Sequence, residues 1–253
     1  NNAYTNVMVA WICEQAQVVL GLLTERRRDT LRAKLGLTDE EVETWQAMSE
    51  KMYIPFHGDG IISQFEGYEE LDELDWDGLR ARYRNIQRLD RILRAEGDDP
   101  NRYKAAKQAD TLMLFYLFPD RELKRLFAQL GYELSPEVIR RTIEYYDSRT
   151  SHGSTLSLIV HAGVLAGIDP DSSWERFLVA LHSDVGDIQG GTTPEGIHTG
   201  VMGGTLDLVQ RIYLGAEIHD GVVFFKPRLL RRLDGLSLLI AVPASPVRTT
   251  RSS

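Results

Sequence analysis

Apolar residues recur at three- and four-residue spacing along most of this chain, down to about residue 214. That period marks helices with one buried face. It predicts helices over 4–23, 25–35, 39–52, 84–96, 103–117, 119–130, 136–147, 155–167, 173–186 and 199–214. Start and stop signals agree in several places. Thr38 precedes Asp39-Glu40-Glu41 in the manner of a capping box. Ser135 precedes Pro136, a cap followed by proline at the first helical position. Pro119 or Asp120 opens the next-to-central helix, and Gly131 closes it.

The helical period fails twice. From Tyr53 to Tyr83 the chain mixes proline, glycine, aromatics and acids, and from Asp187 to His198 it is rich in glycine and threonine. Long irregular stretches inside a helical domain are usually functional or packed on themselves. After Gly215 the pattern changes to strands. "AEIHDGVVFFKP" reads as a hairpin with Asp220-Gly221 at the turn, "GLSLLIAVP" (235–243) as a further strand, and the tail as frayed. The expected fold class is mainly α with a small C-terminal β-sheet appendage, divided as residues 1–214 and 215–253.

Composition narrows this picture. With 253 residues, 43% of them hydrophobic and 26% charged, the chain has enough apolar material for a sizeable core. A net charge of -8 argues against nucleic acid or an anionic membrane as partner. The single cysteine, Cys13, excludes an intrachain disulfide and reads as a small buried hydrophobe. No run of about twenty apolar residues and no leader pattern is visible, so the expected location is cytoplasmic. The chain starts without Met and enters a helix almost at once, which is expected of a piece of something longer.

Candidate chemistry sits at two helix openings. "SHGSTLS" places His152, Gly153, Ser154 and Thr155 ahead of an apolar helix that also carries Ser157 and His161. Unpartnered N–H groups, the helix dipole and a glycine that admits a ligand make an anion seat. A plain hydroxyl N-cap explains the same residues, and His161 reads as a core histidine. "GGTTPEGIHTG" repeats the grammar, with Glu195 and His198 before another helix. "KQAD" sets Lys107 and Gln108 side by side, suited to vicinal hydroxyls, or simply to a solvated first turn. Gln64 and Glu66 lie among aromatics in the long loop, a sugar-site arrangement or a packed surface loop. The six histidines show no zinc spacing, and neither a dinucleotide fingerprint nor Gly-x-Ser-x-Gly is present.

Six stretches, "NNAYTNVM", "MYIPF…GIISQFEGYEEL", "KQADTLML", "SHGSTLSLIVHAGVLA", "SDVGDIQGGTTPEGIHTGVMGGTLDLVQRIYLG" and "DGVVFFKPRL", resemble in collinear order the C-terminal part of glycoside hydrolase family 65. Their wording is most similar to the bacterial trehalose-type phosphorylases. The resemblance implies a partial (α/α)6 barrel and inverting phosphorolysis of an α-linked glucose disaccharide to β-glucose 1-phosphate. It matches Lys107 and Gln108 to glucosyl contacts, with Gln64 a further substrate candidate. It matches Ser154, Thr155 and His198 to phosphate contacts, with His152 and Gly153 beside them. Glu195 would serve as base if the protein were instead a hydrolase. The family's general acid is expected upstream of Asn1, so no catalytic acid is assigned and this stretch alone would lack the proton donor. No cofactor or metal is implied, only inorganic phosphate as co-substrate. The partners implied are disaccharide, phosphate and, from the family's habit of pairing, a second copy of the chain.

Overall fold

The computed structural model describes residues 1–188, 194, 196–219, 222–228, 233, 235–237 and 239. Among them are eleven α-helices and one two-stranded sheet: α1 (Ala3–Leu22), α2 (Glu25–Leu35), α3 (Asp39–Lys51), α4 (Trp76–Arg82), α5 (Leu89–Ala95), α6 (Leu112–Leu117), α7 (Asp120–Gln129), α8 (Pro136–Asp147), α9 (Thr155–Leu165), α10 (Pro170–Leu181), α11 (Thr199–Asp207), β1 (Ala216–His219) and β2 (Val222–Phe225). The period-based boundaries hold closely for α1, α2, α3, α7 and α8. The expected helix 103–117 shrinks to α6, because residues before Leu112 form bends bonded to another segment instead of a helical ladder. The expected helix 84–96 begins later, at Leu89. A separate helix, α4, lies inside the stretch read as irregular, capped by the Asp75 side chain accepting from Gly78 N–H at 2.9 Å.

The predicted caps have their bonds. Thr38 Oγ1 accepts from Glu41 N–H at 3.1 Å, and Ser135 Oγ from Val138 N–H at 3.2 Å. Gly131 has φ 84°, the left-handed geometry that a helix stop needs. Cys13 is buried, and burial pushes its thiol above the ordinary value.

The chain divides into two compact units. The first comprises 1–72 and 110–146. Here α1 packs against α3, α6 and α7 around Val7, Ile54, Leu114, Leu126 and Phe127, all at most 1% exposed. The second comprises 73–109 and 147–253. Its centre is α9, buried along its length apart from Leu156 and flanked by α10 and α11. After α11 the chain runs through a π-helical segment, Leu208–Tyr213, into β1. β1 and β2 pair antiparallel from Ala216↔Phe225 to His219↔Val222. The Asp220-Gly221 turn and most of the expected strand 235–243 lie outside the described residues. No described helix is long and apolar enough to cross a membrane.

Candidate active site

The second unit holds most of the candidate residues. Ser154 occupies the N-cap position of α9 in extended geometry, φ -128° and ψ 134°, yet its side chain makes no capping bond. The hydroxyl N-cap reading therefore fails in its specific form, and the first N–H groups of α9 lack the side-chain acceptor that Thr38 supplies to α3. Thr155 is buried directly behind it.

The loop before α9 is pinned from below. Gly153 N–H donates to Lys107 C=O at 2.7 Å, Ser151 N–H to Ala106 C=O at 2.9 Å, and Ala106 N–H to Arg149 C=O at 2.8 Å. A Cβ on Gly153 would stand 2.6 Å from Gln87 O and 2.7 Å from Lys107 Cγ, so only glycine fits. This close approach brings Lys107 beside the α9 opening although 46 residues separate Lys107 from Gly153. Lys107 is half exposed, with Nζ 3.8 Å from Asp90 Oδ2. Gln108 is also exposed. Both lie in bends ahead of α6, not in its first turn.

The opening of α11 lies level with that of α9. A Cβ at Gly200, the second residue of α11, would be 3.5 Å from the side chain of Leu156, the second residue of α9. One turn on, a Cβ at Gly204 would be 2.8 Å from Ile159 Cγ2. The two glycines let the helices run side by side with their N-terminal ends, and hence their partial positive charges, at one place. His198 caps α11. Asp184 holds it twice, accepting from His198 N–H at 3.0 Å and lying 2.5 Å from Nδ1 through its other oxygen. That hydrogen bond is the main reason the Asp184 carboxyl falls below its ordinary range. A His198 committed at Nδ1 offers a ligand only Nε2. Glu195 lies outside the described residues.

Behind the α9 opening is a group of buried and half-buried polar residues. His152 has φ 54°, and its Nδ1 lies 3.1 Å from Ser157 Oγ. His161 is fully buried, with Nδ1 2.7 Å from Asp147 Oδ1. Arg176 Nη2 donates to both Asp147 oxygens at 2.9 Å. Burial drives His152 down to about 3, and the neighbouring His161 and Arg176 push the same way.

In the first unit, Gln64 is half buried, and its side-chain NH2 donates to Asp110 Oδ2 at 3.1 Å. Asn2 donates to both Asp110 oxygens at 3.1 and 3.2 Å while its own Oδ1 caps α1. A carboxylate accepts only, so Gln64 must turn its amide NH2 to Asp110 and present its oxygen elsewhere. Glu66 Oε2 accepts from the Asn1 amide at 2.8 Å.

Four carboxylates thus support the candidates without having been singled out by sequence: Asp90, Asp110, Asp147 and Asp184. Asp110 was within reach, as it closes the "KQAD" motif. Asp184 is the second residue of the matched "SDVGDIQGG" stretch. Asp90 and Asp147 sit in ordinary helical pattern and carry no local signal.

Residues 1–207 match the glycosyl hydrolase family 65 central catalytic domain. An uncharacterized glycosyl hydrolase of Mycobacterium tuberculosis is 54% identical over 228 residues, covering 90% of this chain and 17% of that protein. The trehalose 6-phosphate phosphorylase of Lactococcus lactis subsp. lactis is 39% identical over 230 residues, covering 90% of this chain and 28% of the relative. A solved structure, "Putative kojibiose phosphorylase from human microbiome", shares the fold with a TM-score of 0.69 at 22% identity, over 91% of this chain and 30% of the other. The chain thus spans less than a third of each of these proteins' length. It belongs to glycosyl hydrolase family 65, in the central catalytic domain of that family.

Proposed function

We propose that this chain is the phosphate- and glucose-binding part of an inverting glycoside phosphorylase. It would form part of an (α/α)6 barrel over 1–214, with residues 215–253 as a small β appendage. The observation that carries the reading is the level, side-by-side opening of α9 and α11, with a Ser154 hydroxyl free of capping and an Asp184-oriented His198. Two helix ends, hydroxyls and an imidazole suit a tetrahedral oxyanion. Ser154, Thr155 and His198 are assigned to phosphate, with His152 and Gly153 shaping the loop. Lys107 and Gln108 are assigned to the glucosyl unit.

The chemistry asks little of these residues beyond position. An acid outside the assigned set protonates the glycosidic oxygen. Phosphate, already anionic, attacks the anomeric carbon from the opposite face, and β-glucose 1-phosphate leaves with the second sugar. An inverting hydrolase needs a second carboxylate to activate water, whereas phosphate needs none. Holding the anion in line is then a main source of rate. Trehalose is the first substrate to test. Trehalose 6-phosphate stands beside it, as the named substrate of the 39% identical relative.

The test uses the full-length protein encoded by the gene. Disaccharide is expected to be consumed only with phosphate present. Ser154→Ala combined with Thr155→Ala should raise the KM for phosphate by about a hundredfold, the scale of two lost charge-assisted hydrogen bonds. Equal turnover without phosphate would overturn the reading in favour of hydrolysis, with Glu195 as the base to examine.

A further inference from the structure

His152 combines three features seldom found together. Its backbone is left-handed, a region that only a few per cent of non-glycine residues use, histidine, asparagine and aspartate most often among them. Its ring is partly enclosed and bonded at Nδ1 to the buried Ser157 hydroxyl. It also sits directly before Gly153 and Ser154, whose geometry opens α9. A strained residue next to a site persists only if its surroundings over-determine it.

Those surroundings form a chain of contacts running inward. The His152 ring meets the His161 ring edge-on, with centroids 4.6 Å apart and planes at 80°. His161 meets Asp147, and Asp147 meets Arg176 from α10. An ionised Asp147 can only accept, so His161 carries its proton on Nδ1. The same carboxylate takes both contacts from Arg176 Nη2. His161 Nε2 is buried with no hydrogen-bond partner among the described residues. Its lone pair therefore faces protein interior, and no alternative bond competes to turn the ring. The whole stack is fixed at its far end by an ion pair and at its near end by Ser157.

We infer that His152 is a positioning residue for the oxyanion seat, and that Arg176, Asp147 and His161 act on phosphate affinity through it. The inference rests on the reading of Ser154 and Thr155 as phosphate contacts. The stack holds the left-handed turn at 152. That turn aims Gly153 and Ser154 at the mouth of α9, and the Gly153–Lys107 bond carries the same restraint to Lys107. Arg176, on another helix, thereby becomes a determinant of the phosphate KM without touching the anion.

The experiment measures phosphate KM and kcat, and the rise in melting temperature produced by phosphate, in full-length variants. His152→Ala is expected to raise phosphate KM about tenfold with kcat changed by less than about twofold, tenfold being one decade of affinity. His152→Asn tolerates the left-handed backbone and can offer its amide oxygen to Ser157, so it should recover to within about threefold of the native KM. Arg176→Met should shift KM in the same direction, by about threefold. The Ser154→Ala/Thr155→Ala protein separates the two ideas. If it raises phosphate KM while His152→Ala does not, the inference falls and the phosphate reading stands. If it leaves phosphate KM unchanged, the reading falls and the inference with it. Should the His152 variants fail to fold, hydrogen exchange at the imidazole C2 position, followed by mass spectrometry on unaltered protein, decides. Saturating phosphate should slow exchange at His152, and an unchanged rate would overturn the proposal.

Discussion

Asp110 and Asp147 are both carboxylates drawn largely out of water, one in each unit, and their acidities shift in opposite directions. Burial pushes both upward, since it penalises the charged form. At Asp110 burial wins. The amides of Asn2 and Gln64 pull the other way without overcoming it, and the carboxyl stands above its ordinary range. At Asp147 burial is outweighed. The His161 ring N–H and the Arg176 charge hold the carboxyl below its ordinary range. The lesson is that neutral dipoles satisfy a buried carboxylate geometrically, whereas a cation also offsets its desolvation. The two sites suit different work. Asp110 orients amides, one of them Gln64. Asp147 anchors a stack of rings.

The largest expected effect comes from Asp147→Asn, which leaves the Arg176 guanidinium without its counter-ion. Breaking a fully buried pair costs about 3–5 kcal/mol, and the 23% exposure of the Asp147 side chain lowers this to about 2–3 kcal/mol. The shift in urea midpoint of the full-length protein measures it. A loss under about 0.5 kcal/mol would mean that solvent already screens the pair and that the contrast with Asp110 is false.

A second effect follows from pH. His152 stands at about 3 in the fold, against about 6.5 in an unfolded chain. Between those values the unfolded state binds a proton that the native state refuses, so stability falls as pH drops from about 6.5 toward 3. Asp147, also lowered, adds a loss of the same sign at the acid end. Asp110 acts oppositely, because its raised carboxyl favours the fold at low pH and loses that contribution as pH rises. Melting temperatures between pH 7.5 and 5 should therefore decline, and decline less steeply in His152→Asn. Parallel curves for the two proteins would show that His152 takes up its proton in the native state.

The smallest effect is expected at Asp110. Asp110→Asn removes a charge that is costly to bury and keeps one acceptor for the two amides. The lost hydrogen bond and the relieved desolvation nearly cancel, giving a change below about 1 kcal/mol at pH 7. A loss equal to that of Asp147→Asn would show that Asp110 works as a true ion-pair partner, and the comparison would collapse.

Legibility in the sequence follows the same division. The helices with a strong apolar stripe, α7 and α8, appear where their period places them, because a helix face is written in residues three and four apart. Residues 103–111 mislead for a physical reason. Ala106 and Lys107 bond through their backbones to Arg149, Ser151 and Gly153, and no local pattern reports that. Ser154 was legible as a helix start, but its missing capping bond was not. A hydroxyl that caps and one that waits for a ligand have the same spelling.

What the sequence by itself determined is local and cumulative: the helical period, the caps at Thr38 and Ser135, the change to strands after Gly215, and an ordered set of segments belonging to one family. Tertiary structure decided which groups meet. Asn2 finds Asp110 at a separation of 108 residues, Arg176 finds Asp147 at 29, and His161 finds the same carboxylate at 14. Periodicity arises from contacts within one or two helical turns, so it can be read along the chain. A carboxylate's partner, and with it the balance between desolvation and charge, is set only when distant elements pack.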